Sequence, residues 1–196
     1  MNSVQPAISE LERLYEAFDP LFPKQIRREK PIIIIQTKGR RGGTLGWCAP
    51  EAWTNGQPER INEITICAEE LARPIADVAG TLLHEMVHHF NILQAVRDCS
   101  SSQYHNRAFR DLAQLVGLEV SQAGHRGWAR TRLRPEAIKL VQSLNAKSDA
   151  FHLFRSSHES KAPTKLLKWV CGCTNLRCAT ALDASCNRCG GKFTRA

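Results

Sequence analysis

Apolar side chains at Ile8, Leu11, Leu14, Tyr15 and Phe18 recur at the spacing of one helix face, and Pro20 and Pro23 close the pattern. Residues 7–18 are therefore expected to form an amphipathic helix with a packing role. After a basic turn at Arg27, Arg28 and Lys30, the run Ile32 to Ile35 with Gln36 and Thr37 reads as a central β-strand. Gly39, Gly42 and Gly43, with Arg40 and Arg41 between them, make the next turn, and a short strand over Thr44 to Ala49 ends at Pro50. Residues 61–67 alternate, with Ile64 and Ile66 on one side and Thr65 and Cys67 on the other, which predicts a third strand. A longer helix begins near Pro74, with Asp77 in its first turn, and runs through Val96.

Beyond it, residues 105–116 place Ala108, Phe109, Leu112, Leu115 and Val116 on one helix face, with Gly117 as the stop. Gly124 to Trp128 is irregular and is expected to cross back toward the long helix. Pro135 to Leu144 forms one more helix. Residues 145–165 read as a linker in which Phe151, Leu153 and Phe154 dock.

The long helix carries the first chemical signal. His84-Glu85-x-x-His88 puts two imidazoles one turn apart on one face, close enough to share a metal ion, with Glu85 about 100° round the helix and off the metal. The plain alternative is a buried helix with polar residues at its margin. Leu82, Leu83, Met86, Val87 and Phe90 wrap this segment, however, and an unpaired Glu with two His there is costly to desolvate unless a cation is present. Gly80, one turn before His84, leaves room for a close neighbour.

A catalytic zinc takes three protein ligands. The metzincin extension is excluded, because Asn91 and Gln94 stand where Gly and His are needed. The remaining candidates are Asp98, His105, Glu119 and His125. His105 is favoured as an imidazole, and Glu119 is the choice for a His-His-Glu sphere. His89 points about 100° away from His88 and is set aside.

Eight cysteines sharpen the picture further. Cys171-x-Cys173 and Cys186-x-x-Cys189 can give four thiolates around one structural zinc, and so short a tail needs a metal to fold. The first pair is Cys-x-Cys, which leaves Cys178 open as a substitute ligand. Cys48, Cys67 and Cys99 read as ordinary buried thiols.

Charge is unevenly spread. Residues 1–96 carry 10 Lys and Arg against 12 Asp and Glu, whereas residues 97–196 carry 17 against 7, a net of +10. Such a half attracts a polyanion, most plainly nucleic acid, although scattered cations also serve a solvated surface. Around the cysteine pairs, Lys165, Lys168, Arg177, Arg188, Lys192 and Arg195 surround Trp169 and Phe193, which suit either base stacking or a small core. The N-terminus lacks an export signal and the longest apolar run is far too short to span a bilayer, so a cytoplasmic, non-membrane protein is expected.

The segment Thr81 to His88, followed by Tyr104-His105-Asn106-Arg107-Ala108-Phe109, resembles the SprT-like (Spartan-like) metallopeptidase family, from about residue 30 to the C-terminus. In that family the third ligand is a His followed four residues on by Phe, which selects His105 ahead of Phe109. Asn106 departs from the Gly that members often have there. The family's ribbon also opens with Cys-x-Cys, which selects Cys171, Cys173, Cys186 and Cys189.

The resemblance implies an α+β, zincin-like domain over residues 1–160, with a small mixed sheet packed on the active-site helix, and a zinc ribbon over 165–196. It implies two zinc ions, one catalytic and one structural. The activity implied is that of an endopeptidase with Glu85 as general base, acting on proteins bound or crosslinked to DNA. Tyr104 and His125 are candidate oxyanion stabilisers. Partners are then a protein substrate and DNA, single-stranded included, with the chain acting as a monomer in the cytoplasm or at the nucleoid. The competing readings are a DNA-binding zinc protein with a structural, non-catalytic site, and a metal hydrolase of small molecules.

Overall fold

Helix α1, Gln5–Phe18, buries Ala7, Leu11, Leu14, Tyr15 and Phe18 along one stripe, with Pro6 fitted to its first turn. Ile8, expected on that stripe, is only half-buried, and the buried polar member is Glu10. Its carboxylate is held by Arg13 at 2.6 Å and by the Lys147 amide at 3.0 Å, so burial is matched by donors. The computed structural model describes residues 2–24, 29–37, 43–56, 60–156 and 166–196. Arg27, Arg28, Gly39, Arg40, Arg41, Gly42 and Lys165, together with the 157–165 part of the linker, lie outside the described residues. Two compact units emerge, Met1–Ser156 and Ser157–Ala196.

In the first unit, β1 (Ile32–Gln36), β2 (Gly46–Thr54) and β3 (Arg60–Cys67) form a sheet of order β1-β3-β2. The isoleucine run is therefore an edge strand rather than the centre. It pairs parallel with β3, which takes the middle because Ile64, Thr65, Ile66 and Cys67 are buried on both of its faces. β2 runs antiparallel to β3 and continues past Pro50 to Thr54, further than expected. Proline lacks an amide for the ladder, and the strand accommodates it by an irregularity between Ala49 and Trp53 on the sheet's edge. Glu51 there adopts φ 52°, and its amide is caught by Asn62 Oδ1 at 2.8 Å.

Helix α2, Ile75–Leu93, is buried almost all round, with Val78 to Leu83, Met86, Val87 and Phe90 in the core. It ends three residues earlier than the sequence suggested, at a turn in which Ala95 takes φ 54°. Helix α3, Arg107–Leu115, turns Phe109 and Ala113 inward, and Val116 follows on the same stripe. Leu115, expected on the buried face, is 66% exposed because it lies off that stripe.

Two short strands not expected from the residue pattern follow, β4 (Leu118–Ser121) and β5 (Arg130–Leu133), paired antiparallel. The irregular Gly124 to Trp128 stretch is their connection. Helix α4 spans Pro135–Ser143, one residue short of the expected Leu144, which caps it. Of the apolar residues expected to dock after it, Phe151 is buried, Leu153 half-buried, and Phe154 56% exposed.

The second unit has strands β6 (Leu167–Val170), β7 (Asn175–Cys178) and β8 (Thr194–Arg195) in the order β7-β6-β8. The chain is thus mixed α+β with small sheets. Among the described residues, no helix is long and apolar enough to cross a membrane.

Candidate metal centres

One turn of α2 separates His84 from His88, and both Nε2 atoms face that of His105, at 3.2 and 3.1 Å. His105 is not in α3 but in the extended residues before it, where bridges to Cys99 and Gly127 fix its backbone. Its amide donates to the Arg126 carbonyl and its carbonyl accepts from the Trp128 amide, both at 3.0 Å. Asn106 caps α3, its side-chain oxygen accepting from the Ala108 and Phe109 amides at 2.8 and 3.3 Å. A side chain at this position thus has a use, the cap that starts α3. Phe109 then lies against all three imidazoles, with ring centroids 4.6–4.7 Å apart.

The other ring nitrogens decide what this triangle can hold. His88 Nδ1 lies 2.8 Å from Asp98 Oδ2, and His105 Nδ1 lies 3.1 Å from the Gln103 carbonyl. Both oxygens are acceptors, so both Nδ1 atoms carry a proton and the Nε2 atoms are left to face one another, each a bare lone pair wherever its ring is neutral. That contact is repulsive without a cation between them. Burial, with the neighbouring imidazoles, holds His84 well below its ordinary pKa, and burial with the charge of His88 takes His105 to about 4. Burial also opposes charge on His88, but the Asp98 hydrogen bond and the nearby carboxylates outweigh it and raise it.

Protonating the cluster is therefore unfavourable at two of its three rings, and a metal fits the donor set. Nitrogens about 2.0–2.1 Å from a tetrahedral zinc stand about 3.3–3.4 Å apart, close to the spacings here. The ligand atoms of His84, His88 and His105 lie within 4.8 Å of one another.

Asp98, a candidate third ligand on sequence, instead orients His88 and also accepts from Asn91 Nδ2 at 2.9 Å. Thr131 of β5 does the same for His84 at 2.9 Å. Such outer partners tune ligand basicity, and losing one costs about 10–100-fold in metal affinity. Asp98→Ala is expected to fall in that range when zinc is titrated against a chromogenic chelator. Glu119 is taken by Arg132 at 2.8 Å on the exposed β4–β5 ribbon, and His125 sits exposed in the Gly124–Arg126 turn. Neither joins the triangle.

Gly127 secures the third ligand. It adopts φ 64°, and a methyl group there would strike both the His105 carbonyl and the Tyr104 ring. Gly127→Ala is expected to destabilise the fold by at least about 2 kcal/mol in urea unfolding and to weaken metal binding with it. Gly80 is less demanding: its nearest neighbour is Leu133 of β5, at an ordinary 3.5 Å from a built methyl position.

Glu85 is only 6% exposed and has no cationic side chain as a hydrogen-bond partner among the described residues. Burial pushes its carboxyl up to about 7, with His88 pulling it down and Asp98 adding to the rise. The Cys48 amide donates to it, and the sheet explains why that amide is available. The Cys67 amide bonds the Leu45 carbonyl, so alternate residues Gly46 and Cys48 of β2 turn their backbone groups away from β3.

A cleft of about 900 Å³ runs past these groups, walled by β2 at Gly46, Trp47 and Cys48 and by β5 at Arg130 and Thr131. Tyr104 and His125 do not line it, whereas Arg126 does. Asp98, Thr131 and Arg126 took on roles that no residue spacing announces, since each depends on a partner brought in by the fold.

The second centre lies in the ribbon. Sγ–Sγ distances are 3.8 Å for Cys171–Cys173, 3.6 Å for Cys173–Cys186 and 3.7 Å for Cys171–Cys189. Thiolates about 2.3 Å from a tetrahedral zinc stand about 3.8 Å apart, so the cluster already has the edges of that tetrahedron. The Arg188 and Cys189 amides donate to Cys186 and lower its thiol to about 6, while neighbouring thiols push Cys173 up to about 12. Cys178 turns to Thr180 Oγ1 at 3.6 Å and is not part of the group. Trp169 and Phe193 are half-buried, and the Trp169 ring N–H is enclosed without a partner.

Comparison of the chain with protein-family models, curated proteins and solved structures found no match.

Proposed function

We propose that this chain is a zinc-dependent endopeptidase of the zincin type, similar to the SprT-like family, acting on proteins bound or crosslinked to DNA. The observation that carries the reading is the meeting of His84, His88 and His105 at their Nε2 atoms, with the buried Glu85 beside them on an open cleft. A zinc ion held there would supply Lewis-acid activation of water and of a peptide carbonyl. Glu85, near neutrality before a cation draws its pKa down, accepts the proton of the attacking water and passes it to the departing amine nitrogen. The Cys48 amide holds the carboxylate in that position. The outward edge of β2 has no strand partner among the described residues, and although Glu85 holds the Cys48 amide, the Gly46 backbone groups and the Cys48 carbonyl face an extended polypeptide there.

These features favour a peptidase over its rivals. A purely structural zinc closes its sphere with four protein ligands, and this group has three among the described residues. An open cleft with a free strand edge suits a polypeptide better than a small molecule. The basic second half and the exposed Lys168 and Arg177, opposite each other on β6 and β7, support DNA as tether or activator, because like charges so placed disfavour the pair until an anion covers them. A monomer working in the cytoplasm or at the nucleoid fits this reading.

The test is a protein crosslinked to single-stranded DNA, incubated with the zinc-loaded chain. Cleavage that a chelator abolishes and zinc restores is expected. Intact substrate, with DNA binding retained, would favour the non-catalytic DNA-binding reading.

A further inference from the structure

We infer that the cleft reads a carboxylate on its substrate through Arg126, a specificity that rests on the peptidase reading above. Among the described residues, the half-buried arginines are Arg13, Arg73, Arg110 and Arg126. The first three each hold a carboxylate, Glu10 at 2.6 Å, Glu70 at 3.3 Å and Asp111 at 2.7 Å. Arg126 has no such partner among the described residues, and it is the one whose backbone is bonded to the third imidazole ligand. A half-buried arginine without an anion leaves its charge to be answered, and this one borders the cleft that the substrate must occupy.

The carboxylates already in the cleft do not answer it. Asp98 is committed to His88 and Asn91, and Glu85 is buried against the Cys48 amide. Asp77 stands two turns of α2 before His84, about 10 Å along the axis. Arg130, exposed on the same wall and also without a carboxylate partner among the described residues, adds positive potential beside it. The anion must then arrive with the ligand. The fork of a guanidinium matches a carboxylate bidentately, so the group read is an Asp or Glu side chain or the carboxylate that ends a chain. A nucleic-acid phosphate is the less suited anion, because Arg126 sits by the metal ligands within the cleft, where a polypeptide has to pass.

The experiment uses terminally blocked fluorescent peptides in which one Glu, or one Gln, is walked along an otherwise neutral sequence. They are titrated by anisotropy onto the zinc-loaded full chain carrying Glu85→Gln, which reads binding without turnover. The best Glu peptide should bind on the order of ten-fold more tightly than its Gln counterpart. Adding Arg126→Ala should bring both to the weaker value, and Arg126→Lys should recover only part of the preference. Zinc content and urea unfolding of each variant establish that the fold is intact.

A preference that follows an unblocked C-terminus, and is lost with Arg126, supports the same chemistry with the chain end as its source. Equal binding of Glu and Gln peptides overturns the assignment, as does equal weakening of both by Arg126→Ala. An effect of Arg126→Ala confined to a short oligonucleotide also overturns it. Cleavage of the same peptides by the unsubstituted chain separates the two readings. Cleavage without acidic preference removes the subsite alone, and acidic preference in binding with no cleavage removes the peptidase alone.

Discussion

Glu85→Gln should abolish proteolysis while leaving zinc in place. The side chain is not one of the converging donors, and its removal takes away a proton acceptor rather than a ligand. Positioned general bases contribute about 10²–10⁴-fold, so kcat/KM is expected to fall by at least that range with metal content unchanged. Glutamine keeps the shape and an oxygen acceptor for the Cys48 amide, so the fold should tolerate it. The metal-free protein offers a second readout. A carboxyl whose folded pKa is about 7, against an ordinary 4.5, binds its proton more tightly when folded. Its contribution to stability is therefore full below about pH 4.5 and is lost as pH rises through 7, and Glu85→Gln should flatten that part of the stability profile.

Cys186→Ser should unfold the ribbon. Cys186 is the one fully buried residue among the described residues 166–196, and the flanking Trp169, Leu176 and Phe193 are only half-buried. So small a unit has no apolar core to oppose chain entropy, which leaves metal binding, worth about 10–16 kcal/mol in comparable sites, as its source of folding energy. Losing a thiolate held by the Arg188 and Cys189 amides removes both a ligand and the turn built around it. Amide hydrogen exchange at β6, β7 and β8 should rise to that of an unfolded chain. Protection retained in these strands would show that the sheet stands without metal.

Residue spacing alone made much of this centre legible. His84 and His88 are local partners on one helix, and Cys171, Cys173, Cys186 and Cys189 lie close in sequence around short turns, so both signals survive without knowing the fold. His105 was favoured as an imidazole and further by the resemblance, but Asp98, Glu119 and His125 stay eligible until β4 and the turn after it carry two of them away and Asp98 is seen behind His88. The four isoleucines of β1 satisfied the pattern of a central strand, yet the centre is settled by which neighbours pair, and β3 is buried on both faces. β4 and β5 escaped notice because Arg130 and Arg132 alternate with only two inward residues, too short a pattern to distinguish from a loop. Leu115 shows the converse error, an apolar residue at helical spacing that the packing leaves in water.

The most direct test of the central claim is zinc per chain, measured by elemental analysis after dialysis, for the unsubstituted protein, His105→Ala and Cys186→Ser. Two ions are expected in the first and one in each variant, with only Cys186→Ser retaining a site made of imidazoles. Two ions retained in His105→Ala, or a zinc content unchanged between the unsubstituted chain and His105→Ala, would contradict the convergence of His84, His88 and His105 on one metal.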